Sequence, residues 1–185
     1  MERINVPSAT SPNLTWHNQS SSDNHKIQSS SNPNCHMSFD GENLNLYEGD
    51  QLKHQLSGMS GQPGYQCTDY QNLPNKGPLP EGNYSVRQEN RQKIDLPNAI
   101  KGLNPFRKTG TWPGSVLSWG KERAWLDPAP SNNMYGRNNF TIHGGLTKGS
   151  AGCIDIPWQT NTLSNYLDDC QEEVPLNVKY RKNCW

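Results

Sequence analysis

Short apolar runs separated by turn residues set the fold class of this chain. The stretch "CHMSFDGENLNLYEGDQLKHQLSG" is interrupted by Asp40-Gly41 and by Glu48-Gly49-Asp50. Short apolar runs joined by turns of this composition are typical of antiparallel strands. They predict an opening β-meander whose apolar positions are Phe39, Leu44, Leu46, Leu52 and Leu56.

The rest of the chain adds strands and one clear helix. The segments "NYSVRQ", "NNFTIHG", "GCIDIPW" and "VPLNVKY" each predict a strand. In "TNTLSNYLDDCQEE", apolar residues recur at the i, i+3, i+4, i+7 spacing of one helical face: Leu163, Tyr166, Leu167 and Cys170. We therefore expect a mainly β domain over residues 35–185, with one or two short helices and long loops.

The first 34 residues differ from the domain in composition. They are rich in Ser, Asn, Pro and Thr and show no apolar period, which predicts a flexible extension. The low hydrophobic fraction of 31% and the mean hydropathy of −0.96 agree with a chain that is partly solvated. Two interpretations of residues 1–34 remain open: a loading or recruitment segment, or a passive linker.

Charge and hydropathy exclude several classes of partner. Lys plus Arg and Asp plus Glu both number 17, so the net charge is zero, which argues against nucleic acid or an anionic membrane as the main partner. No apolar run approaches the length of a bilayer span. The start "MERINVPSATSPN" lacks the apolar core of a signal peptide, so we expect synthesis in the cytoplasm and export by another route.

The five cysteines lack CxxC spacing, which argues against a zinc ribbon or a thioredoxin-type site. For four of them, pairing and burial as reduced thiols are equally open: Cys35, Cys67, Cys170 and Cys184. If they pair, the helix and the strand that follows it bring Cys170 near Cys184. Cys35 with Cys67 is then the next best pair among three connectivities.

The chemistry concentrates in "FTIHGGLTKGSAGCIDI", where His143 and Cys153 bracket a loop of small residues. An imidazole beside a thiol favours the thiolate, so the pair can act as base and nucleophile. Glycines before the cysteine let backbone N–H groups converge into an oxyanion hole. No Asp or Asn lies in the loop, so the candidate group for orienting the base is a backbone carbonyl near Gly144.

This loop resembles a known signature. "HGGLTKGSAGC" is similar to the active-site motif of L,D-transpeptidases, in which His-Gly precedes Ser-x-Gly-Cys. "FDGENLNLYEG", "SGMSG" and "NKGPLPEGNY" are similar to the opening meander and the Pro-x-Gly-x-Tyr segment of that fold. "YGRNNFTIHGG" and "SAGCIDI" resemble the type VI secretion effectors with this fold. The resemblance spans Met37 to Ile156 and implies an L,D-transpeptidase-type β-sandwich or mixed sheet.

The resemblance also implies roles for individual residues. Cys153 matches the nucleophile, His143 the base, and Gly144 the position whose carbonyl orients that base. The oxyanion hole is implied at Gly152 and Cys153, within the loop that Ser150 helps to shape. The implied substrate contacts are Tyr135, Arg137 and Ser150, with Arg137 as a clamp for a carboxylate; a surface role for Arg137 is the alternative. No metal or organic cofactor is implied.

Two positions depart from the housekeeping pattern and match the effector subgroup. Ala151 stands where housekeeping members have His, and Asp155 stands where they favour Arg or Asn. Both substitutions are expected to affect which nucleophile, an amine or water, accepts the acyl group of the substrate from the cysteine.

The implied function is attack by Cys153 on peptidoglycan stem peptides, giving L,D-carboxypeptidase activity, D-amino acid exchange or cross-linking. The implied setting is an antibacterial toxin delivered to the periplasm of a target bacterium, with a cognate immunity protein and secretion-machinery components as partners. Two alternatives are a Cys-His peptidoglycan amidase or endopeptidase, disfavoured because its Cys usually precedes its His, and a non-enzymatic wall-binding module.

Two long segments are expected to border the site. Ser57–Glu81 and Lys93–Asn133 are too long for simple connections and contain Tyr65, Tyr70, Trp112, Trp119 and Trp125. We expect one or both to fold over Cys153 as a lid, and the alternative is that they pad the far side of a sheet.

Overall fold

The computed structural model of the chain describes residues 34–94, 118–146, 149–170 and 173–181. Three sequence predictions fall wholly or largely outside these ranges: the flexible extension over 1–34, the position of Trp112, and the environment of Cys184. Within the described ranges, no helix is both long enough and apolar enough to cross a bilayer.

The described residues form ten strands, the α-helix α1 and two short 3-10 helices (Thr68–Tyr70 and Gln88–Asn90), and residues 118 and 119 are also helical. Their bounds are β1 (Cys35–Phe39), β2 (Asn43–Glu48), β3 (Gln51–Ser57), β4 (Gly82–Val86), β5 (Arg91–Lys93), β6 (Glu122–Trp125), β7 (Asp127–Pro128), β8 (Thr141–His143), β9 (Ile154–Asp155), α1 (Thr160–Cys170) and β10 (Val174–Val178). A six-stranded sheet has the order β3-β2-β1-β10-β4-β7, and a four-stranded sheet has the order β5-β6-β8-β9. The predicted mainly β class is confirmed.

The opening meander is confirmed as β1-β2-β3, each strand antiparallel to the next. In β1 the alternation places Cys35, Met37 and Phe39 in the core. Strand β3 buries only Leu56, and the predicted apolar position Leu52 is exposed because β3 is the edge strand of the sheet. The strand predicted from "VPLNVKY" is β10, which alternates buried and exposed positions along its length. Strand β10 lies beside β1 in parallel, with Met37 opposite Leu176, so it occupies the middle of the sheet.

The two sheets share one core cluster, and α1 covers part of it. Core residues come from β1 and β10 of the larger sheet and from β6, β8 and β9 of the smaller one. The helix buries the face predicted from its spacing, namely Leu163, Tyr166, Leu167 and Cys170. The Tyr166 hydroxyl contacts two backbone carbonyls of the meander, His36 O at 2.9 Å and Tyr47 O at 2.7 Å. Because it can donate only one proton, these two contacts share it.

The cysteine pairing differs from the prediction. Cys35 is bonded to Cys170, with 5.9 Å between their Cα atoms, so the predicted Cys170–Cys184 and Cys35–Cys67 pairs are both wrong. The reason is the parallel register of β1 and β10, which places Cys35 at the end of the sheet where α1 leads into β10. Strand β10 then carries the chain away from that end. Cys67 is also disulfide-bonded, and Cys153 is free.

The segment expected to be a long loop over Lys93–Asn133 contains sheet residues. Strands β6 and β7 lie within it, and β6 is an inner strand of the four-stranded sheet, paired with β5 and β8. The four residues "ERAW" are too short and too polar to predict a buried strand. Pairing with β8 supplies the context that the local sequence lacks.

Candidate active site

The candidate site lies on one face of the four-stranded sheet, where register places its residues in two rows. In the first row Arg123 of β6 lies opposite His143 of β8, and His143 lies opposite Asp155 of β9. In the second row, Trp125 lies opposite Thr141, and the parallel register brings Cys153, just before β9, next to Thr141. Since side chains two residues apart share a face, the two rows form a single polar surface.

The Cys153 thiol is buried, with 9% of the residue exposed. The backbone N–H and the Oγ1 hydroxyl of Thr141 both donate to the Cys153 Sγ, each over 3.4 Å. Hydrogen bonds to sulfur favour its charged form. The sulfur is therefore prepared to carry negative charge before any substrate arrives.

His143 is fixed from three directions. Its Nδ1 lies 2.7 Å from the Gly144 carbonyl, which is the orienting contact expected from the sequence. Its Nε2 lies 3.0 Å from Oδ1 of Asp155, but off the hydrogen-bond direction. The ring of Trp119 packs on the imidazole with 4.8 Å between ring centroids. The proton on Nδ1 thus points to a carbonyl, and the Nε2 edge faces the site.

The thiol and the imidazole shift each other's pKa in opposite directions. Burial raises the pKa of Cys153, but the interaction with His143 and the two contacts from Thr141 lower it to a net value below that of an ordinary thiol. Burial lowers the pKa of His143, but Asp155 and Cys153 outweigh burial and raise it well above its ordinary value. The pair is consequently stabilised as thiolate and imidazolium.

Asp155 is a site residue whose contacts the sequence did not predict. It is 1% exposed, and its Oδ2 accepts hydrogen bonds from the backbone N–H groups of Gly149 at 2.9 Å and Ser150 at 2.6 Å. One carboxylate therefore contacts the base with one oxygen and holds the glycine loop with the other. Its position two residues after Cys153 on a strand was the available signal, since that spacing places both side chains on one face.

Gly152 has to be glycine because of what packs against it. Its φ is +108°, and a Cβ there would overlap Arg137 Nη2 and the ring of Phe140. Arg137 lies over that ring, 5.0 Å from its centroid. This close approach sets the path of the backbone just before the nucleophile, where the oxyanion donors are expected.

The structure gives Arg137 contacts other than the predicted substrate carboxylate. It is 9% exposed. Its Nη1 donates to the carbonyls of Gln71 at 2.6 Å and Pro78 at 2.7 Å. Its Nη2 donates to the carbonyls of Gly77 at 2.9 Å and Ala151 at 3.2 Å. Through these contacts Arg137 connects the loop before β4 to the loop before Cys153.

The other two predicted substrate contacts differ in exposure. The Ser150 hydroxyl donates to the Cys153 carbonyl at 3.2 Å, so it braces the loop from within. Tyr135 is 45% exposed, and its backbone has φ of +52°.

The two long segments both border the site. In Ser57–Glu81, Met59 exchanges backbone hydrogen bonds with Asp155 at 3.0 and 2.8 Å, and Pro63 lies against Gly149. From Lys93–Asn133, Trp119 reaches His143. Met59, Pro63 and Trp119 thus bring described residues of both segments to the catalytic sheet and its glycine loop, and closure of either segment over Cys153 as a lid stays a prediction.

A family model matches most of the chain. The model of the Tlde1 domain matches residues 54–177, a range that includes β4 to β9 and every site residue named above. A search of curated proteins finds no match.

Several solved structures are similar at low identity. Bdellovibrio bacteriovorus Bd1075 is 14% identical with a TM-score of 0.48, over 83% of this chain and 50% of that one. L,D-transpeptidase 3 from Mycobacterium tuberculosis, in complex with a faropenem-derived adduct, is 13% identical with a TM-score of 0.44, over 80% and 60%. An L,D-transpeptidase from Mycobacterium smegmatis is 13% identical with a TM-score of 0.39, over 80% and 59%. The chain thus spans between half and three-fifths of these proteins.

Proposed function

Since the chain belongs to the Tlde1 domain family of type VI effectors, whose domain is L,D-transpeptidase-like, we propose that it is a cysteine enzyme acting on the stem peptide of peptidoglycan. The observation that carries the proposal is the environment of one sulfur atom. Cys153 Sγ receives two contacts from Thr141 and interacts with an imidazole that is itself oriented by Gly144. This arrangement supplies a nucleophile, a proton donor and a group that fixes the tautomer.

The first half-reaction forms a thioester. The Cys153 thiolate attacks the carbonyl of the third stem residue, a meso-diaminopimelate, and the negative charge moves to the carbonyl oxygen. Backbone N–H groups at Gly152 and Cys153 are the proposed donors to that oxygen. When the tetrahedral adduct collapses, the bond to the terminal D-alanine breaks, and the departing amine takes the proton of the His143 imidazolium.

The second half-reaction consumes the thioester. His143, now neutral, accepts a proton from the incoming nucleophile, and the Cys153 sulfur leaves as thiolate. Water as the nucleophile gives L,D-carboxypeptidase activity, a free D-amino acid gives exchange, and the amine of another stem gives a 3–3 cross-link. Asp155 contacts both His143 and the glycine loop before Cys153, so it holds the two in a fixed relative position through both half-reactions. Tyr135, which is exposed, is the proposed contact with the stem peptide.

The setting follows from the family. We propose delivery by a type VI machine into the periplasm of a target bacterium, where trimming or exchange depletes donor stems. A cognate immunity protein would protect the producing cell.

Incubation with purified muropeptides tests the activity. With tetrapeptide stems, the wild-type chain is expected to release terminal D-alanine, or to replace it when a free D-amino acid is added, and mass spectrometry follows both products. Cys153→Ala and His143→Gln should give neither product. His54→Gln is the matched control, because His54 is exposed on β3, and it should behave as wild type. Absence of any product from a folded wild-type chain whose Cys153 is alkylated readily would contradict the proposed function.

A further inference from the structure

Arg123 is a buried cation in the same row as His143 and Asp155. It lies directly opposite His143 in the register of β6 and β8, and it is 7% exposed. Its Nε donates to Gln92 Oε1 at 2.7 Å, which anchors the guanidinium to the neighbouring strand β5. The side chain is therefore held on the site face rather than extended into solvent.

The Arg123 guanidinium packs against two indole rings, and one of these rings packs on the His143 imidazole. Its Cζ lies 5.0 Å from the ring centroid of Trp119 and 5.0 Å from that of Trp125. Trp119 in turn packs on His143. The contacts thus run in sequence from Trp125 to Arg123, from Arg123 to Trp119 and from Trp119 to His143.

Among the described residues, the charged side chains near Cys153 come from four parts of the chain. Strand β8 supplies His143, and β9 supplies Asp155. The segment before β8 supplies Arg137, whose guanidinium is occupied with four carbonyls, and β6 supplies Arg123. Burial lowers the pKa of Arg123 and the Cys153 thiolate raises it, with burial the stronger effect. An arginine keeps its proton at any pH that the folded chain tolerates, unlike the imidazole, which gives its proton away during the reaction.

We propose that Arg123 is a positioning residue for the Cys153–His143 pair, holding Trp119 against the imidazole and supplying a permanent positive charge that favours the thiolate. The inference rests on the proposed function only in naming Cys153 as the nucleophile. It explains why a guanidinium is buried beside an imidazolium at all. Asp155 on the other side of the ring offsets the repulsion, and the thiolate gains a cation that does not depend on the state of His143.

The pH dependence of Cys153 alkylation tests the proposal without any peptidoglycan. Iodoacetamide is the probe because it is uncharged and is not steered by a nearby arginine. In Arg123→Met and Arg123→Gln, the midpoint of the rate against pH should rise by about one unit, whereas Arg123→Lys should stay with wild type. Arg87→Met removes an exposed arginine that pairs with Asp127 and Glu173, and it should leave the midpoint unchanged.

Three results would overturn the inference. One is a wild-type midpoint in a folded Arg123→Met or Arg123→Gln. Another is a shift in Arg123→Lys as large as in the neutral variants, since the permanent positive charge would then contribute nothing to the thiolate. The third is loss of folding in both neutral variants while Arg123→Lys folds, which would make the side chain purely structural. Failure of the proposed function would look different, as absent muropeptide products with the alkylation shifts intact.

Discussion

The six-stranded and four-stranded sheets of this domain bury different chemistry. The larger sheet turns an apolar face to the core, with residues such as Met37, Leu46 and Leu176 at 1% exposure or less. The smaller sheet contributes Ala124, Ile142 and Ile154 to that core, while its other face carries a row of buried polar side chains. The apolar core between the sheets therefore stabilises the fold, and the polar face of the smaller sheet carries the reactive groups. We expect that a substitution on one of these surfaces leaves the property of the other unchanged.

The difference has an energetic cause. Burying a Leu or Val side chain stabilises the fold by about 1.5–3 kcal/mol. Burying charged groups carries a desolvation cost that a well-paired partner only offsets. Burying Arg123, His143 and Asp155 thus supports reactivity but lowers the free energy of unfolding. The apolar residues buried by the larger sheet offset that loss. Four predictions test this division, beginning with the largest effect.

Removing the nucleophile should abolish activity and leave the fold. In Cys153→Ala, turnover of tetrapeptide stems should fall by at least ~10³-fold, and His143→Gln should lose nearly as much because the two act as a unit. Urea denaturation should place Cys153→Ala within about 1 kcal/mol of wild type. A large loss of stability in Cys153→Ala would mean that the site face also stabilises the domain, and the comparison would fail.

Removing the Cys35–Cys170 disulfide should destabilise the fold and leave the reactivity of Cys153 unchanged. The Cys35–Cys170 bond spans a sequence separation of 135 residues, so its loss in Cys35→Ser/Cys170→Ser should cost about 4–5 kcal/mol. The pH profile of Cys153 alkylation, taken under conditions where the variant is still folded, should match wild type. A displaced profile would show that the constraint reaches the catalytic sheet.

A core truncation in the larger sheet should have a somewhat smaller effect. Leu176 is central in β10 and 1% exposed, so Leu176→Ala should lose about 3 kcal/mol of unfolding free energy. Leu52→Ala is the matched control, because Leu52 is 47% exposed on β3, and its change should stay within about 0.5 kcal/mol. Equal losses at the two positions would contradict the assignment of the core.

The smallest effect concerns pH. Cys153 has its pKa lowered on folding, so its contribution to stability is present above the ordinary thiol value of about 8.5 and is lost as pH falls through the folded value. His143 has its pKa raised, so its contribution is present below about 6.5 and is lost as pH rises through the folded value. The alkylation midpoint should therefore lie below pH 8.5 in wild type, and His143→Gln should return it toward that value. A wild-type midpoint at or above 8.5 would refute the ion pair.

The strands β1 and β10 could be predicted from local sequence because their residues alternate in burial, and the meander could be predicted from its turns at Asp40-Gly41 and Glu48-Gly49-Asp50. The helix followed from the spacing of Leu163, Tyr166 and Leu167. His143 and Cys153 stood out because they bracket a loop of small residues, and Gly144 followed from the lack of an Asp or Asn in that loop.

What the sequence did not predict depends on register between distant strands. The contact between His143 and Asp155 requires parallel pairing of β8 with β9. The place of Arg123 requires β6, which lay inside a segment predicted to be a loop. Arg137 was named from the sequence as a substrate contact, and that role stays a prediction. Its hydrogen bonds to four backbone carbonyls of two separate loops were not predicted, because such contacts leave no mark in a one-dimensional pattern.

The central position of β10 has a consequence for how the chain reaches this fold. The meander β1-β2-β3 involves only local contacts and can form early. Strands β4 and β7 join the same sheet only through β10, so that half of the sheet has no template until β10 is in place. In the reduced chain, closing so long a loop before contacts reward it slows folding, whereas the Cys35–Cys170 bond keeps that loop closed in the oxidised chain. In the reduced chain the rate-limiting event is therefore expected to be the insertion of β10 between β1 and β4, with the catalytic face becoming ordered after that insertion completes the core beneath it.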